Sequence, residues 1–245
     1  MSAVLVVPGF LGSLGGAIDF IFSERDSVQG GLQVGGLGQI WDLLATQMAI
    51  SIVALLLAIA IALPLGLWLG HRGVGEFAAV AVGNAGRAIP ELALIALMVA
   101  FVGTGNLNVT IAVTILGIPP ILTNAFVGVR QADRDAVDAA RGMGMTELGI
   151  IRRVELPLAI PTIMGGVRTA SVNIIATSTI GSLAGVKTLG DLILSPNVYG
   201  DEGVIAGAIV VAVLALTFEL ILAAVQKTLT PRGLTLQRAA ARASA

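Results

Sequence analysis

Five apolar stretches, each about as long as a bilayer's hydrocarbon core requires of a helix, decide what this chain can fold into. Met48–Leu69 and Leu107–Val129 carry no charge at all. Phe77–Phe101 holds only Arg87 and Glu91, Leu158–Ala184 only Arg168, and Val204–Val225 only Glu219. Strands do not run so long, and one water-soluble core could not bury five such stretches together. Charged residues make up 12% of the chain, against about 25% in soluble domains. The expected fold is therefore an all-α integral membrane bundle with five core transmembrane helices. The chain has no cysteine and one histidine, His71. That excludes disulfides, a thiol nucleophile and a thiolate or multi-histidine metal site.

The first 22 residues are apolar but lack the basic start of a secretory signal. Gly12, Gly15, Gly16 and Asp19 also weaken them as a span. They read as a helix at the interface or packed on the bundle, with a sixth span as the competing reading.

Orientation follows from the basic residues. Arg72, the group Arg130, Arg134, Arg141, Arg152 and Arg153, and the group Lys227, Arg232, Arg238 and Arg242 all fall on one side of a five-span topology. Those ten face only Arg25 and Lys187 on the other side. The positive-inside rule puts the loop between spans 3 and 4, and the C-terminus, in the cytoplasm. The division is an external or interfacial segment (1–38), a transmembrane domain (39–230) with a cytoplasmic loop (130–157), and a cytoplasmic tail (231–245).

That loop carries the most information. Asp133 or Asp135 can cap a helix whose Val137, Ala140 and Met143 recur on one face. Gly144 can take the left-handed conformation that ends it. Thr146 can cap a second short helix, which should stop before Pro157. The exposed face would be small: Ala139, Ala140, Gly142 and Gly144. On pattern alone such a hairpin either rests on the bilayer or seats in a groove of another protein. The spacing goes further. Asp138-Ala139-Ala140, then Gly144, then Val154, Leu156 and Pro157 resemble the EAA loop of ABC importer permeases of the type I (MetI-like) family. Asp138 stands where that family usually has Glu. Pro64-Leu-Gly66, then Asn84, Arg87 and Pro90, then Pro119-Pro120 with Asn124, and Gly166-Val-Arg168-Thr169 resemble its osmoprotectant subfamily, importers of glycine betaine, carnitine, choline and proline.

The resemblance covers roughly residues 39–230. It implies that Asp138, Ala139, Ala140, Gly144, Leu156 and Pro157 couple the chain to a cytoplasmic ATPase. It also implies a second permease subunit (a copy or a related chain, the related chain favoured), an extracellular substrate-binding protein, and a bacterial inner-membrane location. ATP and magnesium would be held by the ATPase, with no cofactor or metal in this chain and no nucleic acid.

Ionisable groups inside spans are costly and stand as functional candidates. Arg87 and Glu91 have the spacing of a helical ion pair, with Pro90 between them able to bend the helix. Arg168 could snorkel. Span 4 is the most polar, and Asn173 and Thr177, like Asn124 of span 3, could line a wetted path or bond to neighbouring helices. Gly66 and Gly70, like Gly181 and Gly185, read as packing pairs. The run from Gly181 to Thr188 imitates a phosphate-binding loop but lacks the Gly-Lys adjacency. His71 reads as an interfacial residue. The rival readings are a permease for another small zwitterion or amino-acid-like solute, and an ATP-independent transporter or channel. The latter often shows internal repeats or mid-membrane acids; no repeat is present, and Glu91 and Glu219 are the only acids within the five apolar stretches.

Overall fold

A computed structural model describes residues 6–231. Side chains of residues 6–11, Ala78, Val80, Ala85 and Arg87 fall outside the description. So do residues 1–5 of the expected N-terminal helix, and the tail with Arg232, Arg238 and Arg242.

The apolar stretches fold as helices, with two departures from expectation. Helix α1 (Val6–Phe22) precedes a small antiparallel hairpin of β1 (Glu24–Asp26) and β2 (Gln33–Gly35), in which Arg25 pairs with Val34. Helix α2 (Gly36–Arg72) contains the first span. The second stretch, expected as one helix, is two: α3 (Glu76–Ala88) and α4 (Glu91–Val102). Pro90 has no N–H to give the ladder and restricts Ile89 before it, so the chain leaves the helix there and does not merely bend. Helix α5 (Asn106–Arg130) is the third span.

The second departure follows the connecting hairpin, α6 (Arg134–Gly142) and α7 (Glu147–Ile150). The chain does not stop before Pro157. It widens into a π turn (Ile151–Glu155) and continues as α8 (Leu156–Thr179). The Leu156 N–H reaches back to the Ile151 carbonyl, and this looser turn just ahead of Pro157 carries the helix past a residue that would clash with a regular one. A 3₁₀ turn (Ile180–Ala184), α9 (Gly190–Leu194) and α10 (Pro196–Leu229), kinked at Gly200, complete the chain. Among the described residues, four helical runs are long and apolar enough to cross a membrane: Gly36–Arg72, Asn106–Arg130, Glu147–Ala184 and Pro196–Leu229.

The helices contribute to two compact units. The first comprises the described residues up to Val53, Glu91–Val113 and Ile174–Thr217. Its polar centre is Gln47, fully buried, whose amide donates to the Ile175 carbonyl (3.1 Å) and Thr179 Oγ1 (2.9 Å) and accepts from the Leu189 N–H (3.1 Å). Ser51 and Ser178 share a hydrogen bond beside it. Such bonds compensate the loss of water around buried amides and hydroxyls.

The second unit comprises Ala54–Pro90, Thr114–Asn173 and the described residues from Phe218 onward. Small residues set its packing. A β-carbon on Gly66 would lie 2.6 Å from Ala125 Cβ, and one on Gly70 would lie 2.9 Å from the Phe126 carbonyl. The Gly66–Gly70 pair thus brings α2 onto α5, as expected. Gly181 likewise packs on Val109 in the first unit, but Gly185 is a turn residue with φ +78°, so that pair is not a packing motif.

Candidate functional site

The hairpin α6–α7 lies wholly in the second unit, and its own sequence builds it. Asp133 is the cap: its carboxylate accepts from the N–H groups of Asp135 (2.9 Å) and Ala136 (3.4 Å). Helix α6 ends where Met145 N–H bonds to the Ala140 carbonyl (3.2 Å) across Gly144, whose φ is +80°. Thr146 then caps α7, accepting from the Gly149 N–H at 3.2 Å. Val137, Ala140 and Ile150 form a small interior, with Met145 and Val154 against it.

Two expectations change here. Ala140 is not on the exposed face; it is 2% exposed and joins the two helices. Met143, expected on the inner face, is 77% exposed, because the chain turns away at Gly144 before its side chain can reach α7. The outward surface is Asp138, Ala139, Gly142, Met143 and Leu148. It is a narrow strip of small residues with two large apolar side chains. Arg141 braces it, reaching Asp138 Oδ1 (3.3 Å) and Glu147 Oε2 (3.4 Å). Hydrogen bonding and charge from Glu147 push the Arg141 guanidinium above its ordinary value. Leu156 and Pro157 are half-buried at the start of α8.

His71 sits in the last turn of α2 and is 4% exposed. Its Nδ1 lies 2.7 Å from Glu155 Oε2 and its Nε2 2.9 Å from Glu147 Oε2. The sequence placed His71 at the inner end of the first span but gave it no partner. The available signal was Glu155, an acid placed directly before the apolar stretch that begins at Leu156.

The intramembrane candidates separate. Arg168 does not snorkel: its Nε donates to Glu219 Oε1 (2.9 Å), its Nη2 makes a second bond to the same oxygen, and its Nη1 donates to Gln226 Oε1 (3.0 Å). The sole base of span 4 thus pairs with the sole acid of span 5, a match the sequence offered and charge counting could have found. An open cavity of about 400 Å³ is lined by Gly165, Arg168, Thr169, Val172, Asn173 and Glu219. Thr169, Val172 and Asn173 form its exposed stripe at helical spacing. Arg168 and Asn173 therefore meet at one site. Asn124 does not join them; its amide donates to the Pro120 carbonyl (2.8 Å), and Gly166 packs on it. Thr177 belongs to the first unit and is fully buried. Glu91 begins α4, where its charge suits the helix end. Arg87 and Glu91 are not on one continuous helix, and the Arg87 side chain lies outside the described residues.

The family model for the binding-protein-dependent transport system inner membrane component matches residues 62–232. The chain belongs to this family. As a transport system inner membrane component it is similar to the glycine betaine/carnitine/choline transport system permease protein OpuCB of Bacillus subtilis, 34% identical over 83% of this chain and 94% of that protein. It is also similar to the carnitine transport permease protein OpuCB of Listeria monocytogenes, 37% identical over 81% and 89%. Among solved structures, inward-facing conformations of the MetNI methionine ABC transporter share the fold of this inner membrane component. The TM-scores are 0.69 and 0.71 at 19% and 18% identity, covering 80% of this chain and 98% of the other.

Proposed function

We propose that the chain is the permease subunit of an ATP-driven importer for a small osmoprotectant-type solute such as glycine betaine, carnitine or choline. Relatives above 30% identity along most of the chain, named for those solutes, carry the choice of solute. Energy enters through α6–α7, whose outward strip of small residues fits a cleft on an ATPase subunit. ATP and magnesium belong to that ATPase, and an extracellular binding protein delivers the solute. The hairpin and the C-terminus face the cytoplasm, which the ten-to-two distribution of basic residues supports.

The solute path runs along the exposed face of α8, past Thr169, Val172 and Asn173. Its other wall is a second, related permease. Two different permease proteins, OpuCB and OpuCD, are named for the glycine betaine/carnitine/choline transport system of Bacillus subtilis, which supports a pair of different chains. The test is uptake of labelled choline and glycine betaine by proteoliposomes holding the assembled complex. Accumulation requires ATP on the hairpin side. Uptake that proceeds without ATP, driven by an ion gradient, would refute the reading.

A further inference from the structure

We propose that His71, with each ring nitrogen facing a carboxylate, is the positioning residue that fastens the hairpin α6–α7 to the end of α2. This rests on the hairpin being the coupling element. A neutral imidazole has one N–H and can donate to one partner only. Here both ring nitrogens face carboxylate oxygens, at 2.7 Å and 2.9 Å. Both bonds form together only when the cluster holds one proton beyond a neutral ring and two carboxylates, on the ring or on a carboxyl. Glu155 is itself 3% exposed, and a buried carboxylate needs a cationic partner in contact.

The π turn creates the site. Glu147 and Glu155 are eight residues apart, which in a regular α-helix offsets them by about 80° around the axis. The wider turn Ile151–Glu155 advances fewer degrees per residue and brings the two carboxylates toward one side. Both then reach a single ring at the end of another helix.

The surrounding charges leave this role to His71. On α2, the Arg72 guanidinium stacks 4.4 Å from the centre of the Trp68 ring. Arg130 of α5 lies beside Gly73. Arg141 of α6 reaches Glu147 and Asp138 from the outer side. Arg152 and Arg153 of the π turn are exposed. When the cluster loses that shared proton, one carboxylate is released, and movement of the hairpin is no longer passed fully to α2.

The experiment measures ATP-driven uptake by the assembled transporter in proteoliposomes, with the hairpin-side pH stepped from about 6 to about 8.5, across the ordinary range of histidine titration. Wild-type uptake per ATP hydrolysed declines toward the alkaline end. His71→Gln lowers it about tenfold at every pH, within the usual range of coupling between sites, while the ATPase still co-purifies. His71→Arg keeps the charge and loses the slope. A slope in His71→Arg equal to wild type, or wild-type uptake per ATP in His71→Gln, overturns the proposal. Should the His71 variants fail to insert, Glu147→Gln, on an exposed side chain, carries the test: it flattens the slope, and an unchanged slope overturns the proposal. Gly144→Leu serves as the separate control. If it transports normally, the coupling reading itself fails; if only the His71 results fail, the hairpin remains the coupling element and the tie to α2 does not.

Discussion

Gly144 has no neighbour within 4 Å of the place a β-carbon would occupy, so what matters there is the backbone. A branched side chain at positive φ costs about 1–2 kcal/mol, enough to open the reversal between α6 and α7. Gly144→Leu should reduce uptake by about tenfold or more with normal membrane insertion, while Gly144→Asn, which tolerates that conformation, keeps most of it. Ala140 is limited by volume instead. Enclosed by Val137 and Ile150, it has no room for a larger group. Ala140→Leu should destabilise the hairpin by about 1–3 kcal/mol, read as faster proteolysis between residues 130 and 157 in the purified protein. Ala139→Leu, on the exposed strip, should leave proteolysis unchanged and weaken ATPase binding instead.

Helix α8 gives the clearest test among the elements. In a chain without native cysteine, single cysteines at Thr169, Val172 and Asn173 should react with a water-soluble thiol reagent and be protected by solute, whereas Thr177→Cys should stay unreactive. Labelling at Thr177 as fast as at Asn173 would remove this face as the path. The elements also show how far the sequence reached. Span positions, the Asp133 and Thr146 caps and the Gly144 reversal were legible because each depends on neighbours along the chain. The break at Pro90 was legible as a perturbation but not in degree, since whether a proline bends or ends a helix depends on what restores the lost bonds. The π turn was not legible: local rules end a helix before Pro157, and only the tertiary setting carries it through. Ala140 and Met143 exchanged faces because the short hairpin closes on itself, which the period of a single helix does not report. The partners of His71 and Arg168 lie 84 and 51 residues away, beyond any local pattern.

Across the whole molecule, the proposed coupling role gives each chain one hairpin with which to engage one ATPase. Intact-complex mass measurement should give two permease chains and two ATPase chains, and a complex with one permease per two ATPases would contradict the paired arrangement. The purified chain alone should hydrolyse no ATP, checked by phosphate release at concentrations where the complex is active. The π turn adds a mechanical consequence. Because the π turn joins α7 to α8, one helical run beginning at Glu147 continues past Asn173, and the stretch between those two residues is about 40 Å at about 1.5 Å per residue. In the proposed importer it would act as a lever, with the ATPase at one end and the exposed residues of α8 along the other. A tilt of about 10° applied at the hairpin would carry Asn173 sideways by about 7 Å, comparable to the width of a small zwitterion, so on the proposed reading a modest movement at the ATPase would be enlarged along the solute path.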